Sequence, residues 1–173
     1  MKIINFDNSE KMRKRIAALY SSVWNEDENV IINRLEKHST YNGFKAIIAM
    51  NDEEQIIGFA YGYNSLKGQY YRELLENTLT SEQVTYWLEN CFEFVELAIH
   101  PFQRKKGIGR RLVNLLLEDV ANKTAILTTQ QDNIPAKSLY RTLNWKVIKE
   151  PFLPNGAAGK SYVIMGMELD NNI

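Results

Sequence analysis

Cysteine occurs once in the 173 residues, at Cys91. No internal disulfide can form, which fits a reducing compartment. Histidine occurs twice, at His38 and His100. With a single cysteine, that falls short of the usual zinc ligand set. No run approaches the roughly 18 apolar residues that a membrane-spanning helix needs. The start, Met-Lys-Ile-Ile-Asn-Phe-Asp, lacks the apolar core of a signal peptide. An excess of one charge is missing too, since 21 basic and 21 acidic residues cancel. A duplex-DNA binder usually carries an overall basic domain or face. No internal repeat or low-complexity tract is visible. These absences together predict a cytoplasmic protein with no metal, no membrane and no nucleic-acid partner.

What is present fits a globular chain of ordinary kind. The length is that of one domain and suffices to bury a large core. A hydrophobic fraction of 45% with 24% charged residues is usual for such a domain. A single domain over 1–173 is expected.

Apolar periodicity assigns the elements. Lys2 to Phe6 reads as a strand. Met12, Ile16, Leu19 and Val23 recur at three- and four-residue steps, predicting a helix over Glu10 to Trp24, capped by Ser9 or Asn8. Its bases Lys11, Arg13, Lys14 and Arg15 read as a solvated face. A second helix is expected over Asn29 to Lys37, with Val30, Ile31 and Leu35 inward. His38 ends it, where a histidine suits the helix dipole. Phe44 to Met50 and Gln55 to Tyr63 read as a hairpin around a polar turn.

Residues 64–90 interrupt the strands with helical segments near Tyr70 to Asn77 and Ser81 to Glu89, the second starting at Ser81 and Glu82. The interruption is longer than a simple hairpin connection. Its Tyr70, Tyr71, Tyr86 and Trp87 either pack the inserted helices on the sheet or form a lid with an aromatic wall for a cationic amine. Strands follow at Cys91 to His100, Thr124 to Thr129, Trp145 to Lys149 and Tyr162 to Leu169. Helices are expected over Ile108 to Val120 and Pro135 to Leu143, and a loop over Pro151 to Lys160. The order implies an α/β sandwich around one sheet.

The stretch His100-Pro-Phe-Gln-Arg-Lys-Lys-Gly-Ile-Gly-Arg-Arg-Leu112 joins a strand to a helix through two glycines and five bases. A helix start presents unpaired N–H groups and the positive end of the dipole. Glycine lets an anion approach that backbone, so the unit suits phosphate. A turn with solvated bases is the other reading. A Walker loop is excluded because no G-x-x-x-x-G-K-[ST] occurs. Leu112 stands where a dinucleotide fingerprint needs a third small residue.

Arg104-x-x-Gly107-x-Gly109 resembles the acetyl-CoA pyrophosphate loop of the GNAT superfamily of N-acetyltransferases. Val95 to Pro101 resembles that family's central strand. Asn133-Ile-Pro-Ala-Lys-Ser-Leu-Tyr140 with Leu143-Asn144-Trp145 resembles its downstream signature, with Asn144 in place of the usual glycine and Trp145 in place of phenylalanine. The resemblance implies a mixed, mostly antiparallel sheet of six to seven strands, helices on both faces and a splayed central parallel strand pair. It implies acetyl transfer from acetyl-CoA to a primary amine by direct attack in a ternary complex. An inactive acyl-CoA-binding sensor or interaction module is the alternative. A homodimer is left open.

The resemblance also assigns residues. Leu97, Ala98 and Ile99 would pair their backbone with the pantetheine arm. Arg104, Lys105, Lys106, Gly107, Ile108, Gly109 and Arg110 would hold the pyrophosphate. Asn133 would reach the pantetheine or acetyl region, or only cap a helix. Tyr140 would protonate the departing thiolate, unless it is a core tyrosine. A thiol of reference pKa ~8.5 leaves more easily when a placed phenol donates to it. The incoming amine, ordinarily of pKa ~10.4, must lose a proton to attack. Glu93 and Glu96 are the candidate bases. Three residues apart, they point to opposite faces of a regular strand. His100 fits a turn position better than a base.

Overall fold

The computed structural model describes residues 1–156 and 159–169. The described residues form seven strands and six helices, in the order β1 (Lys2–Asn5), α1 (Glu10–Trp24), α2 (Glu28–His38), β2 (Lys45–Met50), β3 (Ile56–Asn64), α3 (Tyr70–Thr78), α4 (Ser81–Leu88), β4 (Cys91–Ile99), α5 (Ile108–Leu117), β5 (Thr124–Gln130), α6 (Ile134–Thr142), β6 (Lys146–Phe152) and β7 (Tyr162–Glu168). The strands hydrogen-bond in the order β1-β2-β3-β4-β5-β7-β6. Strands β4 and β5 run parallel. Their ladder joins Cys91 to Thr124, Phe92 to Ala125 and Glu93 to Ile126, three residues of a nine-residue strand. The expected mixed sheet is therefore present, with seven strands.

The chain gathers into two compact units. Met1–Tyr63 and Val95–Val120 form one, and Asn64–Phe94 with the described residues after Val120 form the other. In the first unit, Ala46, Ile48 and Met50 of β2 and Phe59, Tyr61 and Tyr63 of β3 share a core with Met12, Ile16 and Leu19 of α1 and Ile31 and Leu35 of α2. The other parity of β2 lies toward α5, whose Leu115 carbonyl accepts from the Lys45 ammonium at 3.0 Å. A cation at a helix C-terminus also suits the dipole. With both faces covered, β2 and β3 read as continuous apolar runs rather than alternating ones. Gly58 permits the close approach on that side, since a Cβ there would lie 2.8 Å from the Ile99 side chain.

In the second unit, Leu75 and Leu79 of the α3 region and Leu88 of α4 pack with Cys91, Ile126, Phe152 and Ile164. Arg72 of α3 is buried and clamps the segment. It donates to the carbonyls of Ser65 at 2.8 Å and Leu88 at 2.6 Å, and pairs with Glu76 at 2.7 Å.

Several elements differ from expectation. Helix α4 starts at Ser81 as expected, and its cap is Thr80, in a reciprocal capping box with Gln83; a hydroxyl and a glutamine three apart satisfy two orphan amides at once. Helix α5 stops at Leu117, short of Val120. Strand β6 starts after Trp145 and runs on through Pro151 to Phe152. It lies at the sheet edge, where a proline removes no necessary ladder bond. The expected loop over 151–160 thus begins later, and its residues 157 and 158 lie outside the described ones. Arg13 is not simply solvated: its side chain is 17% exposed and pairs with Glu36 at 3.4 Å.

Candidate functional site

Strand β4 leads through a short 3₁₀ turn, Pro101–Gln103, into the glycine loop. The His100 imidazole accepts from the Phe102 amide at 3.4 Å, so His100 serves the turn. Arg104 folds its guanidinium back onto the Ile99 carbonyl at 3.2 Å. Lys106 reaches Gln103 at 2.9 Å. The two glycines differ in task. Gly107 is the N-cap of α5 and has φ 78°, a left-handed conformation that a side chain disfavours. Gly109 lies inside the first turn of α5, where it leaves the helix start bare. Lys105 also has a positive φ, of 62°. A chain that turns twice through left-handed residues presents successive N–H groups to one concavity, which suits an anion.

Two of the sequence's candidates on β4 have separate surroundings. Glu93 is buried and accepts from the Ser65 hydroxyl at 3.3 Å. Glu96 meets Arg34 of α2 at 3.8 Å, with 11% of its side chain exposed against 42% for Arg34. The two carboxylates therefore keep different company, as their opposite parity on the strand requires. Burial pushes the Glu96 carboxyl up to about 7; Arg34, the Leu97 amide and the Trp24 side chain pull it down, and Glu26 pushes it further up. Attraction across 3.8 Å is partial compensation, and so burial wins.

Around this pair is a network that sequence reading missed. The Tyr20 hydroxyl donates to Glu26 at 2.9 Å, and Arg34 reaches the Tyr20 oxygen at 3.5 Å. Burial, then the charge of Glu96, holds the Tyr20 phenol above its ordinary range. Burial opposes the charge on Arg34, but Tyr20, Tyr61, Glu96 and Glu26 outweigh it and favour the guanidinium. The α1–α2 segment supplies Tyr20, Trp24, Glu26 and Arg34. Periodicity marks polar residues on a helix as solvent-facing, and no spacing rule connects them to a strand so far along the chain.

His38 closes α2, but not as a charge against the dipole. Burial, reinforced by Arg34 and Lys37, drops its imidazole to about 4. Its Nδ1 lies 3.1 Å from the Tyr61 hydroxyl, among the rings of Tyr41, Tyr61 and Tyr63. It is a neutral, half-buried histidine at neutral pH.

The second unit holds Glu93, Asn133 and Tyr140. Asn133 caps α6, accepting from the Ala136 amide at 3.2 Å through Oδ1. That bond leaves the donors of Nδ2 out of the cap. Tyr140 is buried and packs edge-on against Phe94 and Trp145, with ring centroids 6.2 and 5.9 Å away. Of the inserted aromatics, Tyr71 is held by a 2.6 Å hydrogen bond to Thr128. Trp87 packs against the core of this unit. Tyr70 and Tyr86, 61% and 58% exposed, face outward. Cys91 is buried, and burial pushes its thiol up to about 12.

No helix among the described residues is long and apolar enough to cross a membrane. The described residues also contain no group of three or more His, Cys, Asp or Glu that could hold a metal ion.

A search of curated proteins finds no matching sequence. Among solved structures, an acetyltransferase of the GNAT family from Desulfovibrio desulfuricans superposes with a TM-score of 0.70 at 14% identity, over 96% of this chain and 98% of that one. An aminoglycoside 6'-N-acetyltransferase complexed with coenzyme A gives a TM-score of 0.67 at 21% identity, over 97% of both chains. The ribosomal-protein-S18-alanine N-acetyltransferase from Escherichia coli gives 0.66 at 12% identity, over 99% of this chain and 97% of that one. These likenesses show the fold. The sequence profile described as Acetyltransferase (GNAT) family matches residues 10–145, most of the chain. The protein belongs to the GNAT acetyltransferase family and is an acyltransferase.

Proposed function

We propose that the protein transfers an acetyl group from acetyl-CoA to a primary amine, by direct attack within a ternary complex. The observation that carries this reading is Glu96 on the central strand, 3.8 Å from Arg34 with little of its side chain exposed, where burial pushes the carboxyl up to about 7. An amine ordinarily protonated to ~10.4 needs a base that is ionised near neutrality yet basic enough to take the proton, and a carboxyl near 7 meets both needs. Glu93, buried on the same strand with its carboxylate accepting from the Ser65 hydroxyl at 3.3 Å, is the other candidate.

In this reading the backbone of Leu97, Ala98 and Ile99 takes the pantetheine arm, with Arg104 released from the Ile99 carbonyl or bracing it. The loop of Arg104, Lys105, Lys106, Gly107, Ile108, Gly109 and Arg110 takes the pyrophosphate. Two left-handed residues before a helix start support that assignment. Asn133 has its Nδ2 donors to offer. The thioester supplies the acetyl group. Glu96 takes a proton from the substrate ammonium, the freed amine nitrogen bonds to the thioester carbon, and the carbon–sulfur bond breaks as the nitrogen sheds its second proton. Tyr140 gives its hydroxyl proton to the departing thiolate, and that second amine proton, carried by water, restores the hydroxyl. Direct attack is favoured over an acetylated enzyme because Cys91, the one cysteine, is buried with its thiol at about 12, and the thiolate is the nucleophile.

The solved neighbours include proteins named for an aminoglycoside and for a ribosomal protein, so the fold alone does not choose the acceptor. The test is a thermal-shift screen of coenzyme A thioesters, followed by free-thiol release over an amine panel. Acetyl-CoA is expected to raise the melting temperature, and Glu96→Gln to lower turnover near neutral pH. Acetyl-CoA binding with no amine acetylated would favour an acyl-CoA sensor instead.

A further inference from the structure

Proton transfer to Glu96 leaves Arg34, Tyr20 and Glu26 without a task. These three form a continuous chain. Glu26 accepts from the Tyr20 hydroxyl at 2.9 Å, Tyr20 meets Arg34 at 3.5 Å, and Arg34 meets Glu96 at 3.8 Å. An arginine set between two carboxylates divides its attraction between them. Were it bidentate on Glu96 alone, the carboxylate would be held ionised and would be a poor base.

We infer that Arg34 is a positioning residue for Glu96, and that Glu26, through Tyr20, sets how far its guanidinium commits to that carboxylate. The inference rests on the reading of Glu96 as the base. Glu96 itself is turned toward α1 and α2, where Arg34, Glu26, Tyr20 and the Trp24 donor face it. Tyr61 of β3 and His38 of α2 also lie within electrostatic reach of Arg34. Arg34 favours the ionised form of Glu96, and Glu26 disfavours it. The two groups therefore act with opposite signs on one acidity, and a general loss of packing would not reproduce this.

A base must be deprotonated, so the acid limb of kcat/KM reports its ionisation. Arg34→Met removes a positive neighbour, and the limb should move to higher pH by about one unit, an about ten-fold loss below the limb. Arg34→Lys keeps the charge and should return the limb to within a few tenths of a unit. Glu26→Gln removes a negative neighbour and should move the limb to lower pH.

The experiment measures these pH profiles on the full chain with acetyl-CoA and the best amine of the panel. It is paired with direct titration of Glu96 by carboxyl-labelled glutamate NMR, assigned with Glu96→Gln. Opposite shifts for Arg34→Met and Glu26→Gln, with rescue by Arg34→Lys, support the inference. An unmoved Glu96 titration in Arg34→Met overturns it, as do shifts of the same sign in the two variants. If Arg34→Met fails to fold, Arg34→Lys and Glu26→Gln still decide, since a Glu26→Gln titration that stays put also overturns it. An acid limb that survives undiminished in Glu96→Gln overturns the base reading instead, and the NMR titration then judges Arg34 separately.

Discussion

Two groups in the first unit have acidities moved in opposite directions, and their effects on stability should cancel. His38 is lowered from its ordinary 6.5 to about 4. Glu96 is raised from 4.5 to about 7. Between about pH 4.5 and about pH 6.5 the unfolded chain holds a proton on His38 that the folded chain does not, so this group makes stability rise with pH. Over the same window the folded chain holds a proton on Glu96 that the unfolded chain has lost, so this group makes stability fall. Each displacement, fully expressed, would be worth about 3 kcal/mol. Allowing for the part-exposed imidazole and for relaxation around the buried carboxyl, roughly 2 kcal/mol is expected from each. The wild type should then be nearly level across the window. Glu96→Gln removes one arm and should gain about 4–8 °C in melting temperature from the acid to the neutral end. His38→Gln, which keeps an acceptor for Tyr61, should lose a similar amount. Thermal melts of the three proteins at several pH values provide the assay. If both variants follow the wild type, neither group carries the assigned burden and the reasoning fails.

Three further outcomes are expected. Tyr140→Phe should slow turnover by about 10²-fold while acetyl-CoA affinity, read by thermal shift, changes little; equal turnover would remove the acid role. Gly107→Val meets no steric obstacle within 4 Å, but it must adopt φ 78°. That should cost about 1–2 kcal/mol in urea unfolding and weaken acetyl-CoA binding, whereas Lys105→Gly should stabilise. Arg72→Leu leaves the carbonyls of Ser65 and Leu88 without their donor. A loss of about 3 kcal/mol is expected, measured by denaturant midpoint, and a loss near zero would mean that α3 is anchored by other contacts.

Local chemistry made much of the architecture readable. The caps Ser9 and Asn133 and the inward stripe of α1 each follow from neighbours within a turn or so. The strand–glycine–helix unit was legible for the same reason, because a bare helix start and its two glycines adjoin in the chain. The elements that were misplaced have a different cause. Strand β6 passes through Pro151 because it lies at an edge, and an edge is a property of the sheet rather than of the segment. His38 is neutral because β3 and the Tyr41 turn enclose it, which a helix-end rule does not anticipate.

The sequence by itself determined the family and a strand–glycine–helix unit suited to an anion, since both rest on residues close together in the chain; the mixed sheet followed only as what the family resemblance implies. It also named two glutamates and could not choose between them. Tertiary structure gives the pair different surroundings: the Ser65 hydroxyl meets Glu93, while Arg34, Tyr20, Trp24 and Glu26 surround Glu96. The acidity of a carboxyl depends on how much water and which charges lie within a few ångströms. Those neighbours come from helices distant in the chain, and only folding brings them to β4.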